Sequence, residues 1–582
     1  MPDHDDRRSG STFQPLDVPL KVALARMTHG LSPSALANAF SDWYWHLAMS
    51  PGKQLQLAES AWKQQLQWLL YVRAWGMGLC PPCQEPGPPD KRFAPPQWQR
   101  PPYHLLAQAF LLAQQWWREA TTGVRGVSKH HEHVVEFVAR QWLDVWSPSN
   151  FVATNPQVQE ETLRTLGYNL LRGGANWWRD ALAVLTDGRP AGVERFRPGE
   201  TVAVTPGQVV YRNRLIELIR YAPATDKVHP EPVLVVPSWI MKYYILDLSP
   251  GNSMVKYLVG RGHTVYMISW KNPGGEDRDL GMEDYLDLGV FAALDAITRA
   301  QPEVPLHGVG YCLGGTLMAI AAAALARDRK PLLKTLTLLA AQTDFEEPGE
   351  LGLFIDESQI AFLEDLMAEQ GYLDGRQMAG AFALINSKDL VWSKLVHEYL
   401  MGARTPLTDL RAWNADATRM PQRMHGEYLR RLYLDNDLAE GRYTVHGRPV
   451  ALKDIRVPMF VVSTERDHVS PWPSVYKIHL LSDAEITFVL TSGGHNVGIV
   501  NPPDGPAASP QARYRIDVRA AGGPYVDAPT WQELAEAREG SWWPAWQAWL
   551  AARSGRPVKA PATGVGRWRA LCEAPGTYVH MG

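Results

Sequence analysis

Residues 304–328, VPLHGVGYCLGGTLMAIAAAALARD, constrain the fold more than any other stretch of the chain. An apolar run ends at Gly310. A tight Gly-Tyr-Cys-Leu-Gly-Gly turn follows, and an alanine-rich run of good helix formers begins at once. A strand, a sharp turn and a helix in immediate succession put Cys312 where a parallel α/β sheet presents a nucleophile. Gly310 and Gly314 permit the close packing that such a turn needs. The helix N-terminus behind Cys312 carries partial positive charge, which favours thiolate over thiol. The alternative fate of a free cysteine is that of a small buried hydrophobe, and only the rest of the chain can decide.

A nucleophile of this kind needs a base and a group that orients the base, in chain order nucleophile, acid, histidine. The stretch VVSTERDHVSPW puts Asp467 just past an apolar strand, and VLTSGGHNVGIVNPP puts His495 just past the next, in a glycine-rich loop. His495 is assigned as general base and Asp467 as its orienter. His468 competes for the first role and Glu465 for the second. The Leu313 backbone N–H is expected to be one oxyanion donor, and the loop Pro237-Ser238-Trp239-Ile240 is expected to supply the other, from Ile240. Asp247 lies close to that loop in sequence and is a candidate for a cap or for shaping the pocket. Lys129-His130-His131-Glu132-His133 resembles a metal cluster, but adjacent side chains on a helix diverge, so a helix start is expected and no metal. Cys80-Pro-Pro-Cys83 has no second pair and sits in a proline-rich loop, where neither a metal nor a redox role is expected.

The remaining texture divides in two. The first ~190 residues carry apolar side chains at helical spacing, with Ser32 and Ser50 each standing before a proline as helix starts. Further helical patterns run over Leu105–Glu119, His131–Trp146 and Gln157–Leu185. After a boundary near 187–200, a hairpin is expected at 208–223 and strands at 231–239, 263–270, 333–341, 457–464 and 485–492, with a long helical stretch over about 345–450. Helical segments between strands imply a mainly parallel sheet and an α/β-hydrolase type of fold. The expected domains are a helical one over 1–195 and a catalytic one over 196–582.

Composition excludes several classes. A net charge of -3 over 582 residues, with no Lys/Arg run, argues against a nucleic-acid partner. The longest apolar run, Leu317–Ala326, is too short to span a bilayer, and MPDHDDRRSGSTF has no signal-like apolar core, so a cytoplasmic protein is expected. Four cysteines are too few for a disulfide scaffold. Tryptophans crowd the first third, among them Trp45, Trp62, Trp98, Trp142, Trp146, Trp177 and Trp178. They read either as helix-packing core or as a surface that adheres to something apolar.

Several stretches together resemble the polyhydroxyalkanoate synthases, the polyester-making enzymes of bacterial storage granules. They are PSWIMKYYILDLSPGNSMVKYLVGRGHTVYMISWKNP, GYCLGGTL, WNADATRMP, TERDHVSPWPSVYK, SGGHNVGIVNPP and GSWWPAWQAWLAARSG. The likeness runs over roughly residues 140–560, and SPSALANAFSDWYWHLAMSPGKQLQLA resembles a further N-terminal segment. The resemblance implies a Cys312–Asp467–His495 triad and a cap insertion over about 342–450 containing Trp413, Asn414 and Asp416. It implies an (R)-3-hydroxyacyl-CoA substrate, a growing polyester chain, a homodimer, and work on granules in the cytoplasm, with the N-terminal domain aiding granule attachment and activation. No cofactor is expected beyond the CoA that the substrate carries, and no cofactor-binding residues are assigned. GYCLGG, with Tyr311 before the cysteine, resembles the short-chain type and suggests 3-hydroxybutyryl-CoA. The competing readings are a Cys-type hydrolase (an intracellular polyester depolymerase or a thioesterase) with water as acceptor, and a granule-coating scaffold. The helical N-terminal part, the long cap and the motif set argue against the first, and an intact triad against the second.

Overall fold

The computed structural model describes residues 28, 30–75, 83–85, 87, 90–186, 190, 192–385, 387–561 and 569–582. Cys80 and the first 27 residues lie outside them. The chain forms two compact units: Leu31–Pro190 with Gly380–Pro406 make one, and Ala191–Ala379 with Leu407–Gly582 belong to the other.

The first unit is helical: α1 (Pro33–Ala48), α2 (Pro51–Trp75), α3 (Tyr103–Thr121), α4 (Lys129–Val145), α5 (Pro156–Arg164) and α6 (Tyr168–Leu185). Ser32 caps α1 by accepting from the Ala35 N–H, with proline in the first turn, and Ser128 caps α4 through the His131 N–H. The pattern read as one helix over 157–185 is broken into α5 and α6. Leu166 and Gly167 take φ of 52° and 84° there, the left-handed conformation that ends a helix. KHHEH opens α4: the His131 ring bonds Asp42 at 2.6 Å, and the Glu132 carboxylate accepts from the Gly123 N–H at 2.7 Å. Among the described residues, no group of three or more His, Cys, Asp or Glu could hold a metal. The tryptophans divide between the two readings: Trp98 is buried, whereas Trp45, Trp62, Trp142, Trp146, Trp177 and Trp178 are exposed by more than half of their surface.

The segment 380–406 completes this unit. Asn169 and Asn176 donate to the Leu400 and Glu398 carbonyls at 2.8 and 3.1 Å. The Asp180 carboxylate takes Lys394 at 2.7 Å, Arg404 at 2.6 Å and the Tyr399 hydroxyl at 2.9 Å. Burial alone would raise its pKa, but the bonds from Arg404, Lys394 and Tyr399 outweigh burial and hold it at about 2.

The other unit is built on an 11-stranded sheet. Its strands are β1 (Gly207–Arg212), β2 (Ile216–Tyr221), β3 (Val233–Val236), β4 (Val265–Trp270), β5 (Leu306–Tyr311), β6 (Leu333–Leu339), β7 (Met459–Thr464), β8 (Ile486–Thr491), β9 (Arg513–Arg519), β10 (Glu536–Glu539) and β11 (Cys572–Glu573). The spatial order is β10-β9-β8-β7-β6-β5-β3-β4-β2-β1-β11. The centre, from β8 to β4, is parallel, and both flanks are antiparallel. This is the mostly parallel α/β-hydrolase architecture that the sequence suggested. Central strands are buried along their whole length, as both-face coverage demands of apolar runs such as MFVVST and ITFVLT. The helix after β5, α7 (Leu313–Arg327), is buried through Leu325. No helix among the described residues is long and apolar enough to cross a membrane.

Candidate active site

Cys312 stands between the end of β5 and the start of α7, at φ 53° and ψ -126°. Positive φ on a residue with a Cβ is strained, and such strain is tolerated where the surroundings over-determine it. They do so here through glycine. A Cβ on Gly310 would lie 2.3 Å from Gly315 Cα, and one on Gly314 would lie 2.1 Å from the Val236 carbonyl oxygen. The turn therefore seats α7 directly against β3. Gly314→Ala is expected to cost about 3 kcal/mol, the upper range for overpacking against backbone that cannot yield. The check is urea unfolding, and a loss under about 1 kcal/mol would contradict this packing.

Asp467 follows β7 and His495 follows β8, so adjacent parallel strands deliver both to one end of the sheet. Asp467 Oδ1 accepts the Val469 and Ser470 N–H groups at 2.9 and 2.8 Å. Its Oδ2 meets His495 Nδ1 at 2.8 Å and accepts the Thr464 hydroxyl at 3.3 Å. With Nδ1 engaged, Nε2 is the ring atom left for the sulfur, and Cys312 lies near enough for its charge to act on the ring. Burial pulls the imidazole toward neutrality. The Asp467 charge, then the Cys312 charge and the hydrogen bond to Asp467, outweigh it and leave the His495 pKa well above the usual histidine range. The Tyr311 hydroxyl donates to Asn496 Oδ1 at 2.5 Å, and the Tyr311 ring lies 5.7 Å from that of His495, so the histidine loop is pinned from β5.

The other candidates stand elsewhere. Glu465 pairs with Arg513 at 3.2 Å, and His468 is exposed. Asp247 is buried and accepts the Thr205 and Ser253 hydroxyls at 2.5 and 2.6 Å; burial raises its pKa. Its carboxylate thus fastens loops together. Trp413 is buried and donates from Nε1 to the Lys242 carbonyl at 2.7 Å. Leu313 opens α7, where first-turn N–H groups have no intrahelical partner. The Ile240 N–H rests on Ser238 Oγ at 3.3 Å, a long bond.

Sequence reading missed Tyr428 and Tyr433, whose hydroxyls meet at 3.2 Å. Burial raises both phenols, and the nearby Cys312 charge adds to it. No motif announces them; the only signal is two tyrosines five residues apart in an otherwise basic helical stretch, YLRRLY.

Comparison with known proteins shows the family of the chain. Residues 89–258 match the family described as poly-beta-hydroxybutyrate polymerase (PhaC) N-terminus, and residues 11–53 match poly-beta-hydroxybutyrate polymerase N terminal. Residues 231–502 match the alpha/beta hydrolase fold. The chain is 41% identical over 503 residues to a poly(3-hydroxyalkanoate) polymerase of Methylorubrum extorquens, covering 86% of this chain and 82% of that one. It is 38% identical to a poly(3-hydroxyalkanoate) polymerase subunit PhaC of Rhizobium etli, with 85% and 78% covered. It is 36% identical to that of Cupriavidus necator, with 84% and 83% covered.

Proposed function

The chain belongs to the poly(3-hydroxyalkanoate) polymerase family, and we propose that it builds polyester on Cys312 from (R)-3-hydroxyacyl-CoA, with 3-hydroxybutyryl-CoA as the preferred unit. Members of this family are enzymes, acyltransferases that take a hydroxyacyl-CoA to polyester. The observation that carries the reading at Cys312 is the 2.8 Å Asp467–His495 pair, delivered by adjacent strands beside a cysteine at a strained strand-to-helix turn whose charge acts on that histidine.

The steps follow from these groups. His495 takes the Cys312 proton, and the raised imidazole pKa favours the resulting thiolate–imidazolium pair. Sulfur attacks the substrate's thioester carbonyl. The oxyanion is met by the Leu313 N–H and by the Ile240 N–H, which exchanges its long bond to Ser238 for the anion. The carbon–sulfur bond to CoA breaks, and His495 returns its proton to the departing thiolate. One thioester has replaced another at little change in free energy, so the acyl group stays activated. The 3-hydroxyl of a further hydroxyacyl unit then gives its proton to His495 and attacks, forming an oxygen ester and freeing Cys312. Asp467 holds the ring tautomer throughout. Tyr428 and Tyr433 help to keep water from the acyl-enzyme. No cofactor enters; CoA arrives with the substrate.

The test is purified protein with (R)-3-hydroxybutyryl-CoA, following thiol release and the fate of the acyl group. Thiol release with insoluble polyester supports the reading. Thiol release with free 3-hydroxybutyrate would replace it by a hydrolase. We further propose that the protein works as a homodimer on the surface of polyester granules. The exposed tryptophans of the helical unit support the granule part. The double variant Trp142→Ser/Trp146→Ser is expected to lower the granule-bound fraction in sedimentation at least about threefold; an unchanged fraction would remove that face from the account.

A further inference from the structure

Residues 571–581 run from the edge of the sheet to the loop that carries Ile240. They start as β11, paired with β1. Gly576 then turns at φ 85°, where a Cβ would lie 2.3 Å from Glu217 Oε2. Glu217, fully buried on β2, accepts the Thr577 N–H and hydroxyl at 2.8 Å each, the Tyr578 N–H at 2.9 Å and Arg212 Nε at 2.7 Å. A buried carboxylate is tolerated only when so fully paired. The Tyr578 hydroxyl donates to the Asn213 carbonyl at 2.6 Å, and Tyr578 and Val579 are buried.

The segment ends on a junction. The Met581 carbonyl accepts from the buried Lys242 ammonium at 2.5 Å and from Asn272 Nδ2 at 3.4 Å. Asn272 Oδ1 in turn accepts the Arg419 N–H at 2.8 Å. The Lys242 carbonyl takes Trp413, and the Ile240 carbonyl accepts the Thr418 N–H at 2.9 Å. Met581 thus ties together the strap 237–242 and the segment 413–419 that lies along it.

We propose that residues 576–581 are positioning residues for polymerisation: anchored on Glu217, they hold Lys242 and Asn272 so that the Ile240 N–H stays in register for the oxyanion on Cys312. This rests on the Cys312 reading. None of these residues touches the reacting atoms. Their effect falls on transition-state charge, so it appears in kcat more than in KM.

The experiment is a cycle of Lys242→Met, deletion of 577–582, and both together. Lys242→Met keeps the aliphatic stem and removes the ammonium. Each single variant is expected to lower kcat for CoA release about tenfold to a hundredfold, the range for a misplaced donor, with KM within about twofold. Iodoacetamide should alkylate Cys312 as fast as in the parent, and the melting temperature of Lys242→Met should hold. The double variant should be no slower than the slower single, because both changes break one linkage. Unchanged kcat in Lys242→Met overturns the proposal. So do effects that multiply, or a kcat loss that tracks a fall in melting temperature. If Lys242→Met does not fold, Asn272→Ala takes its place in the cycle. A Cys312→Ala control separates the two readings: polymer made without the thiol sinks the site, whereas an inactive control beside a fully active deletion sinks only the tail.

Discussion

Serine at position 312 is expected to leave a protein that acylates once and then stalls. The serine would stand at the same strained turn, beside the same His495. Its ester with the hydroxyacyl group, however, is an oxygen ester, as is the product. Transfer to the next 3-hydroxyl then has no downhill step, and an alcohol attacks an oxygen ester poorly. CoA release from Cys312→Ser should stop at no more than one equivalent, with the protein heavier by one hydroxyacyl unit. Steady-state turnover should fall at least about a thousandfold, within the range seen when a covalent nucleophile is lost. Cys312→Ala should release no CoA and gain no mass. Thiol titration with intact-protein mass measurement reads both, and sustained polymer synthesis by the alanine variant would place the nucleophile elsewhere.

Acid should unfold the catalytic unit at milder pH than carboxylate protonation alone would require. Burial lowers the pKa of His263 and His479 to about 3 and of His307 and His425 to about 4. His263 shows why: among the described residues neither ring nitrogen meets a hydrogen-bond partner, and its ring stacks 4.7 Å from His229. Burial acts first, and the His229 and His307 charges add to it. Each folded-state pKa lies below the unfolded value near 6.5, so between about pH 6.5 and 4 the unfolded chain binds protons that the folded one refuses. The stability held by these four histidines is complete above about pH 6.5 and falls as pH falls through that window. Asp247, whose pKa burial raises, acts in the opposite sense. A net uptake of about three protons removes on the order of 4 kcal/mol per pH unit. Against a usual total of roughly 5–15 kcal/mol, the midpoint should lie near about pH 5. Tryptophan fluorescence against pH measures it. His263→Phe should shift the midpoint to lower pH and reduce the slope by about one proton, and an unchanged midpoint would contradict the assignment.

What could be read from the sequence was whatever short-range pattern dictates. The buried parallel strands are continuous apolar runs, and the Cys312 turn is fixed by glycines whose Cβ atoms would strike backbone. Asp467 and His495 could be placed because each follows such a strand directly. β9 and β10 went unseen because RYRIDVR and EARE are charged edge strands, held by backbone pairing to β8 and to each other. Position after those strands favoured His495 over His468 and Asp467 over Glu465, but could not show what the rivals do instead. Arg513, 48 residues beyond Glu465, is what occupies that carboxylate. Lys242 and Met581 are 339 residues apart, and no local pattern joins a lysine to a distant carbonyl.

The passage of 380–406 into the helical unit has a practical consequence for anyone dividing this protein. The two units are threaded together: besides the link before Ala191, the backbone leaves the sheet-bearing unit after Ala379 and re-enters it at Leu407. The backbone also crosses between Gly30 and Leu31, so a single protease nick near residue 191 would leave three passages intact, and releasing the helical body needs four cuts. A gene fragment ending at Pro190 would encode Asp180 without the Lys394 and Arg404 that neutralise it. A split-protein or fusion design should instead carry 380–406 on a short connector behind residues 31–190.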